Sequence, residues 1–202
     1  MTSRKKIRVG VVGVGYLGRL HAEKYAMIEE AELVGVTDLD LKRAEEIAAS
    51  VKTRAFGSYR ELFGLVDAVS VVTPTESHCP IGLEFLSRGV DVLVEKPIAL
   101  NIAEADSLVN EAKKSGRVLQ VGHLERFNAA MAALEGRAAR PLLLEARRLS
   151  PFPNRSTDVD VVLDVMIHDI DIVLHLAGSE VESVEAAGLR VVSGRSEVAC
   201  AR

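Results

Sequence analysis

The 202-residue sequence predicts an α/β protein, with a doubly wound parallel sheet over residues 1–122 followed by an incomplete α/β domain over residues 123–202. Three observations carry the prediction. Short Val-rich runs alternate with helical segments as far as residue 122. The runs are too uniformly apolar for a half-exposed antiparallel sheet and suit strands covered on both faces. The alternation stops after Gly122. Repeated strand-helix units imply right-handed crossovers in a parallel sheet.

Residues 7–12 (IRVGVV) are the first expected strand and 17–30 the first helix. A second strand at 32–37 leads to a helix with Leu41, Ala44, Ala48 and Val51 on one stripe and Asp40 placed to cap it. Strands follow at 68–73 and 90–94, separated by a helix at 77–88 that ends at Gly89. Asn101 with Glu104 three residues on resembles a capping box, and Gly116 closes that helix before a strand at 117–121. Beyond Gly122 the pattern gives a helix at 125–135, a strand at 142–149 and a turn-rich loop, PFPNRSTD. A long helix at 161–176 ending at Gly178 and strand-like text at 181–192 come next. Cys200, Ala201 and Arg202 fall inside what reads as another strand. Two helices and two or three strands make a thin second layer, because a sheet face needs cover. A truncated second domain is therefore expected.

At 48% hydrophobic and 27% charged the composition is that of a folded protein, able to bury roughly 70% of its unfolded surface. The net charge of −4 excludes a polybasic nucleic-acid binder at the level of the whole chain. No stretch approaches the ~20 apolar residues of a membrane span. Arg4, Lys5, Lys6 and Arg8 ahead of VGVVGVG mimic a signal peptide, but the run holds Gly10, Gly13 and Gly15 and has no small-residue cleavage site. Cys79 and Cys200 lie far apart with no CxxC or Cys/His ligand spacing, which points to a reducing compartment and no structural zinc. The expectation is a soluble, cytoplasmic protein with no nucleic-acid or membrane partner.

Gly13, Gly15 and Gly18 form G-x-G-x-x-G directly after a predicted strand and at the mouth of a helix, with Tyr16 and Leu17 between the last two. The first glycine permits the tight turn, the second lets backbone approach a pyrophosphate, and the third allows close helix-strand packing. Alone, the motif also fits a glycine-rich turn that binds nothing. Asp38, twenty residues past Gly18, ends the second strand, where a carboxylate accepts both ribose hydroxyls and repels a 2′-phosphate. The combination predicts NAD over NADP, with Lys42 and Arg43 softening the preference.

Two more segments leave strand ends, where open parallel sheets bind ligands. They are Thr73-Pro74-Thr75 with His78, and Glu95-Lys96-Pro97. Pro97 disfavours the α conformation at Lys96 and turns the chain. A loop lysine is commonly a solvated charge, and the strand-end location makes Lys96 an equal candidate for a site. In the helix at 161–176, Val162, Val165, Met166, Ile172, Val173 and Leu176 form an apolar face expected to pack on a sheet. Asp164, His168, Asp171 and His175 lie on the opposite stripe. That stripe reads as a solvated face, as an oriented acid/base pair, or as a metal site lacking an evident third ligand.

Together, GVGYLGRLH, TPTESH after the fourth strand, EKP after the fifth and DVMIHDID on the second-domain helix resemble the glucose-fructose oxidoreductase, inositol dehydrogenase and rhizopine-catabolism (Gfo/Idh/MocA) family. The resemblance spans the chain and implies a Rossmann domain followed by an α/β domain whose open mixed sheet walls the active site and often forms an oligomer interface. It implies NAD(P)-dependent oxidation or reduction of a sugar or cyclitol hydroxyl, with Lys96, Asp164 and His168 as the catalytic residues. Gly13, Gly15, Tyr16, Leu17, Gly18, Asp38, Thr73, Pro74, Thr75, His78, Glu95 and Lys96 are the residues expected at the cofactor. QVGHLERFNAA and NRSTDVDVVLDVMIHDIDIVLHL are similar to the branch that oxidises the 3-hydroxyl of UDP-N-acetylglucosamine. That similarity makes Arg126, Asn128 and Arg155, with Lys96, Asp164 and His168, candidate substrate contacts. A free-sugar or cyclitol dehydrogenase and a non-catalytic dinucleotide-dependent sensor are the alternatives. The expected partner is a small sugar or nucleotide sugar, no metal is expected, and the assembly is expected to be a homo-oligomer.

Overall fold

Val9, Val11 and Val12 require cover on both faces, and β1 (Ile7–Val12) receives it at the middle of a sheet. In the computed structural model, which describes residues 5–134, 141–150 and 159–202, β1 pairs in parallel with β2 (Ala31–Thr37) on one side. On its other side lies β4 (Ala68–Val71), also parallel. β3 (Arg54–Phe56) extends the sheet beyond β2, and β5 (Asp91–Val94) and β6 (Leu119–Val121) extend it beyond β4. The order is β3-β2-β1-β4-β5-β6. Strand succession reverses direction at β1 and β4, which opens a crevice at the carboxyl ends of those strands.

Helices α1 (Tyr16–Met27), α2 (Leu41–Val51), α3 (His78–Leu86) and α4 (Ile102–Ser115) provide the crossovers. Val11, Val14, Ala22, Val36, Ala44 and Ala48 form one core cluster, around α1 and α2. Leu62, Val69, Val71, Phe85, Leu86, Val92 and Leu108 belong to the other. Asp40 caps α2 by accepting from the Arg43 N–H at 3.3 Å, and Asn101 caps α4 by accepting from the Glu104 N–H at 3.0 Å. The capping box at α4 is altered. The Glu104 carboxylate receives the Asn101 side-chain amide and the Leu100 N–H in place of the Asn101 N–H. β3 and a 3-10 turn at Tyr59–Leu62 are absent from the sequence reading, since three or four residues are too few to establish a period. α1 stops at Met27, ahead of the expected end, because Ile28 is extended.

The chain divides into two compact units, Met1–Gly122 and His123–Arg202. In the second, the expected helix at 125–135 becomes a 3-10 turn at Leu124–Phe127 followed by α5 (Ala129–Leu134). Asn128 is extended between them, and its side chain caps the Ala130 N–H at 2.9 Å. The long helix opens with a π turn at Val162–Met166 and continues as α6 (Ile167–Ala177), ended by Gly178 at φ +60°. β7 (Ala186–Leu189) and β8 (Val198–Ala201) form an antiparallel pair.

Three expectations for this unit are corrected. Residues 142–149 join no ladder, and Leu142, Leu143 and Leu149 are exposed. β7 and β8 pair only with each other, and neither outer edge takes up that segment. Among the described residues the second sheet is the antiparallel pair β7-β8, and only four residues of 181–192 lie in it. The apolar face of α6 is not packed into a core: among the described residues of this unit only Val159 and Asp171 are buried. The loop PFPNRSTD lies outside the described residues. No helix among the described residues is long and apolar enough to cross a membrane.

Candidate active site

The three glycines of the loop have separate physical reasons. Gly13 follows β1 at φ +83° and donates its N–H to the Thr37 carbonyl at 2.8 Å; a Cβ there would lie 2.5 Å from the Val72 carbonyl oxygen. A Cβ on Gly18 would collide with the carbonyl of Gly13, so this residue sets how closely α1 approaches the loop. Gly15 has open space where its Cβ would be. It is the N-cap of α1, no side chain caps the helix, and no acid occupies the first turn. The N–H groups of that turn are thus available to an anion. Tyr16 and Leu17 are exposed on the same turn.

Asp38 sits beside this loop with its side chain 10% exposed. Its Oδ2 accepts the Val14 N–H at 2.9 Å, and its Oδ1 accepts the Asp40 N–H at 3.0 Å and the Arg43 Nη1–H at 3.4 Å. A carboxylate offers about four lone-pair sites, so acceptor capacity remains.

Thr73 and Thr75 follow β4, Thr75 buried and Pro74 exposed between them. Thr73 Oγ1 is buried with no hydrogen-bond partner among the described residues. His78 does not face the crevice with its polar atoms. Its ring is buried, with Nδ1 2.8 Å from the Pro97 carbonyl and Nε2 2.9 Å from the Thr73 carbonyl. It braces the loops after β4 and β5 against each other.

Glu95, Lys96 and Pro97 leave β5, the Lys96–Pro97 peptide being cis. Glu95 is buried. Its Oε1 lies 3.0 Å from His21 Nε2, and its Oε2 accepts the Lys96 N–H at 3.3 Å. Burial pushes the carboxyl pKa up, but the His21 hydrogen bond and charge, the Lys96 N–H and the Lys96 charge outweigh it and hold Glu95 below the usual carboxylate value. His21 Nδ1 is 3.3 Å from Ser70 Oγ, which is 2.8 Å from the Tyr25 hydroxyl. The sequence reading did not single out His21, Ser70 or Tyr25. The available signal was Gly18, His21, Ala22 and Tyr25 at i, i+3, i+4 and i+7, one packing face of α1. Ser70, alone in the apolar run AVSVV, was the other.

In the second unit the π turn places Asp164 in a widened turn, with the Ile167 N–H reaching back to the Val162 carbonyl. His168 follows at the start of α6. π turns inserted in α-helices are frequent at functional sites. Asp164 and His168 are half-buried, Asp171 is buried and His175 is exposed, so the stripe is not a uniformly solvated face. Arg126 grips Asp171 with both arms of its guanidinium, Nε to Oδ2 at 2.6 Å and Nη2 to Oδ1, and His123 Nδ1 stands 4.0 Å from Oδ1. Burial raises the Asp171 pKa, and the Arg126 hydrogen bond with the charges of His123, Arg126 and His175 reverses that into a net lowering. Asn128 is exposed near Glu125, and Arg155 lies outside the described residues. Among the described residues no group of three His, Cys, Asp or Glu side chains is arranged to hold a metal ion.

The open space at Gly15, the uncapped start of α1, the spare acceptor capacity of Asp38 and the orphaned Thr73 hydroxyl fit a dinucleotide. Residues 7–123 match the family described as "Oxidoreductase family, NAD-binding Rossmann fold". The chain is 44% identical over 196 residues to UDP-N-acetylglucosamine 3-dehydrogenase of Acidithiobacillus ferrooxidans, covering 96% of this chain and 62% of that protein. A solved structure of that dehydrogenase superimposes with a TM-score of 0.91 over 98% of this chain and 65% of the other. Myo-inositol 2-dehydrogenase of Thermotoga maritima is 31% identical over 194 residues, 90% of this chain and 58% of that protein. The chain thus spans about three fifths of the length of these relatives. With its glycine loop and six-stranded parallel sheet, the chain belongs to the Gfo/Idh/MocA family of NAD-binding Rossmann-fold oxidoreductases.

Proposed function

We propose that this chain carries the cofactor site and catalytic side chains of an NAD-dependent dehydrogenase that oxidises a sugar hydroxyl, the 3-hydroxyl of UDP-N-acetylglucosamine. The observation that carries the reading is the 44% identity to a dehydrogenase of that substrate over nearly the whole chain. Lys96, Asp164 and His168 supply the residue types the reaction needs.

Gly13, Gly15, Tyr16, Leu17 and Gly18 would hold the pyrophosphate, Asp38 the ribose, and Thr73, Pro74, Thr75 and Lys96 the nicotinamide side, with buried Glu95 holding the Lys96 N–H from behind. His78 serves from behind, by bracing the Thr73 and Pro97 carbonyls. A dinucleotide held there would supply the acceptor for the hydride that leaves the carbon bearing the hydroxyl. His168 takes the hydroxyl proton, a step worth about 10²- to 10⁴-fold. Lys96 would stabilise the alkoxide electrostatically as charge develops. Asp164, four residues before His168 across the π turn, orients the imidazole and balances its charge. Arg126 and Asn128 with Arg155 are the proposed substrate contacts, Arg126 with its charge already shared with Asp171.

NAD is favoured over NADP because the Asp38 carboxylate repels a 2′-phosphate and keeps Arg43 engaged. A cytoplasmic location accords with the free thiols Cys79 and Cys200. A homo-oligomer accords with exposed Leu189, Val191 and Val192 in the second unit. The second reading, a cyclitol dehydrogenase, is favoured by the 31% identity to a myo-inositol 2-dehydrogenase.

The test is NADH formation at 340 nm with UDP-N-acetylglucosamine, free N-acetylglucosamine and myo-inositol, repeated with Lys96→Ala and His168→Ala. Turnover of the nucleotide sugar alone, reduced at least a hundredfold in both variants, is the expected result. Wild-type rates in both variants contradict the residue roles. Preferential turnover of myo-inositol favours the second reading, and cofactor binding with no turnover of any of them by a protein of the relatives' full length favours the sensor.

A further inference from the structure

A buried polar chain joins the helix that opens the glycine loop to the lysine that follows β5. It starts at Tyr25 and His21 on α1, passes through Ser70 on β4, and ends on the Glu95 carboxylate, whose second oxygen takes the N–H of Lys96. The His21 side chain is 12% exposed and that of Glu95 7%. Buried polar groups require partners, and two proton arrangements satisfy all of these. Tyr25 donates to Ser70 and Ser70 to His21 Nδ1, or His21 Nδ1–H donates to Ser70 and Ser70 to Tyr25; in both, His21 Nε2–H donates to Glu95. Gly122 closes the remaining side, since a Cβ there would lie 2.8 Å from Glu95 Oε1. Rotation of the carboxylate leaves a buried charge without partners, which is strongly unfavourable.

We propose that His21 and Glu95 are positioning residues for Lys96, and that through them α1, whose first turn faces the cofactor phosphates, is energetically coupled to the lysine. The inference rests on the reading that Lys96 meets the cofactor, and adds the pair of side chains that fixes where its backbone lies. Neither His21 nor Glu95 needs to touch cofactor or substrate in this role. The role differs from simple core packing in one respect: removing His21 matters to the ligand only while Lys96 is present.

The test is a double-mutant cycle on NADH affinity, read by fluorescence titration of the whole 202-residue chain. Lys96→Ala and His21→Leu each weaken NADH about tenfold, and the double variant is also weaker by about tenfold, not a hundredfold. His21→Gln retains an N–H for Glu95 and stays within about threefold of wild type. Circular dichroism confirms that each variant is folded, and Glu95→Gln in both backgrounds replaces His21→Leu if that variant unfolds. Multiplying losses in the double variant, wild-type affinity in His21→Leu, or wild-type affinity in Lys96→Ala overturns the inference. The cycle needs the cofactor alone. Non-additivity without turnover of any sugar therefore contradicts the proposed reaction and leaves the coupling standing, whereas no NADH binding by the wild type overturns both.

Discussion

Asp38 Oδ2 accepts the Val14 N–H at 2.9 Å, so the carboxylate expected at the cofactor ribose also holds the backbone inside the glycine loop. Removing it affects loop and ligand together. Asp38→Ala is expected to weaken NADH at least tenfold and to leave NADPH within about threefold, since the same change removes the repulsion of a 2′-phosphate. Parallel titrations check this, and an unchanged NADH preference contradicts the assignment of Asp38.

Gly15 and Gly18 separate ligand effects from folding effects. Gly15→Ala enters open space and is expected to leave the thermal midpoint nearly unchanged while NADH affinity falls. Gly18→Ala drives a methyl into the Gly13 carbonyl and is expected to cost about 1–3 kcal/mol of stability. Thermal melts of the two variants beside NADH titrations check the contrast. Equal destabilisation by both contradicts it.

The first unit was legible in the sequence because its strands are buried on both faces and its helices carry their caps. Val9, Val11 and Val12 read as a continuous apolar run, and Asp40, Asn101 and Gly116 mark helix ends by mechanisms that act within a few residues. The second unit was less legible, for the same physical reason in reverse. A strand pattern at 142–149 states a propensity, and a ladder also needs a partner strand, which this segment does not pair with among the described residues. In the site, the glycines and Asp38 were legible from spacing. The partnerships of Asp171 with Arg126 and of His21 with Glu95 join residues 45 and 74 positions apart, and no local pattern encodes them.

Arg126 and Asp171 form an ion pair across the second unit, with Asp171 only 8% exposed and Arg126 43%. Asp171→Asn is expected to lower stability by about 1 kcal/mol, a figure kept small because solvent screens the arginine. It is also expected to release Arg126 from its fixed orientation and so raise KM for the nucleotide sugar more than it lowers kcat. Urea unfolding and steady-state kinetics on the same variant check both parts, and a change in kcat alone contradicts the second.

Asp67 makes an acid-sensitive contact in the first unit. Hydrogen bonds from the Arg8 side chain and the Arg8 N–H lower its pKa from 3.8 to about 2, against a smaller opposing effect of burial. A depressed carboxylate pKa contributes stability that is present above the unfolded value and lost as pH falls through the folded one. The contribution of this pair is expected to be intact above pH ~4 and to disappear toward pH ~2. It is modest because both side chains are more than a third exposed. The difference in thermal midpoint between wild type and Asp67→Asn is expected to be a few degrees at pH 6 and to vanish near pH 2. A difference that grows on acidification contradicts the sign.

The measurement that tests the central claim most directly is a fluorescence titration of NADH and NADPH into the chain, with and without UDP-N-acetylglucosamine. The sequence contains no tryptophan to interfere. NADH affinity at least tenfold above that of NADPH, strengthened further by the nucleotide sugar, is the predicted result. Equal affinity for the two cofactors, or NADH binding indifferent to the nucleotide sugar, contradicts the account.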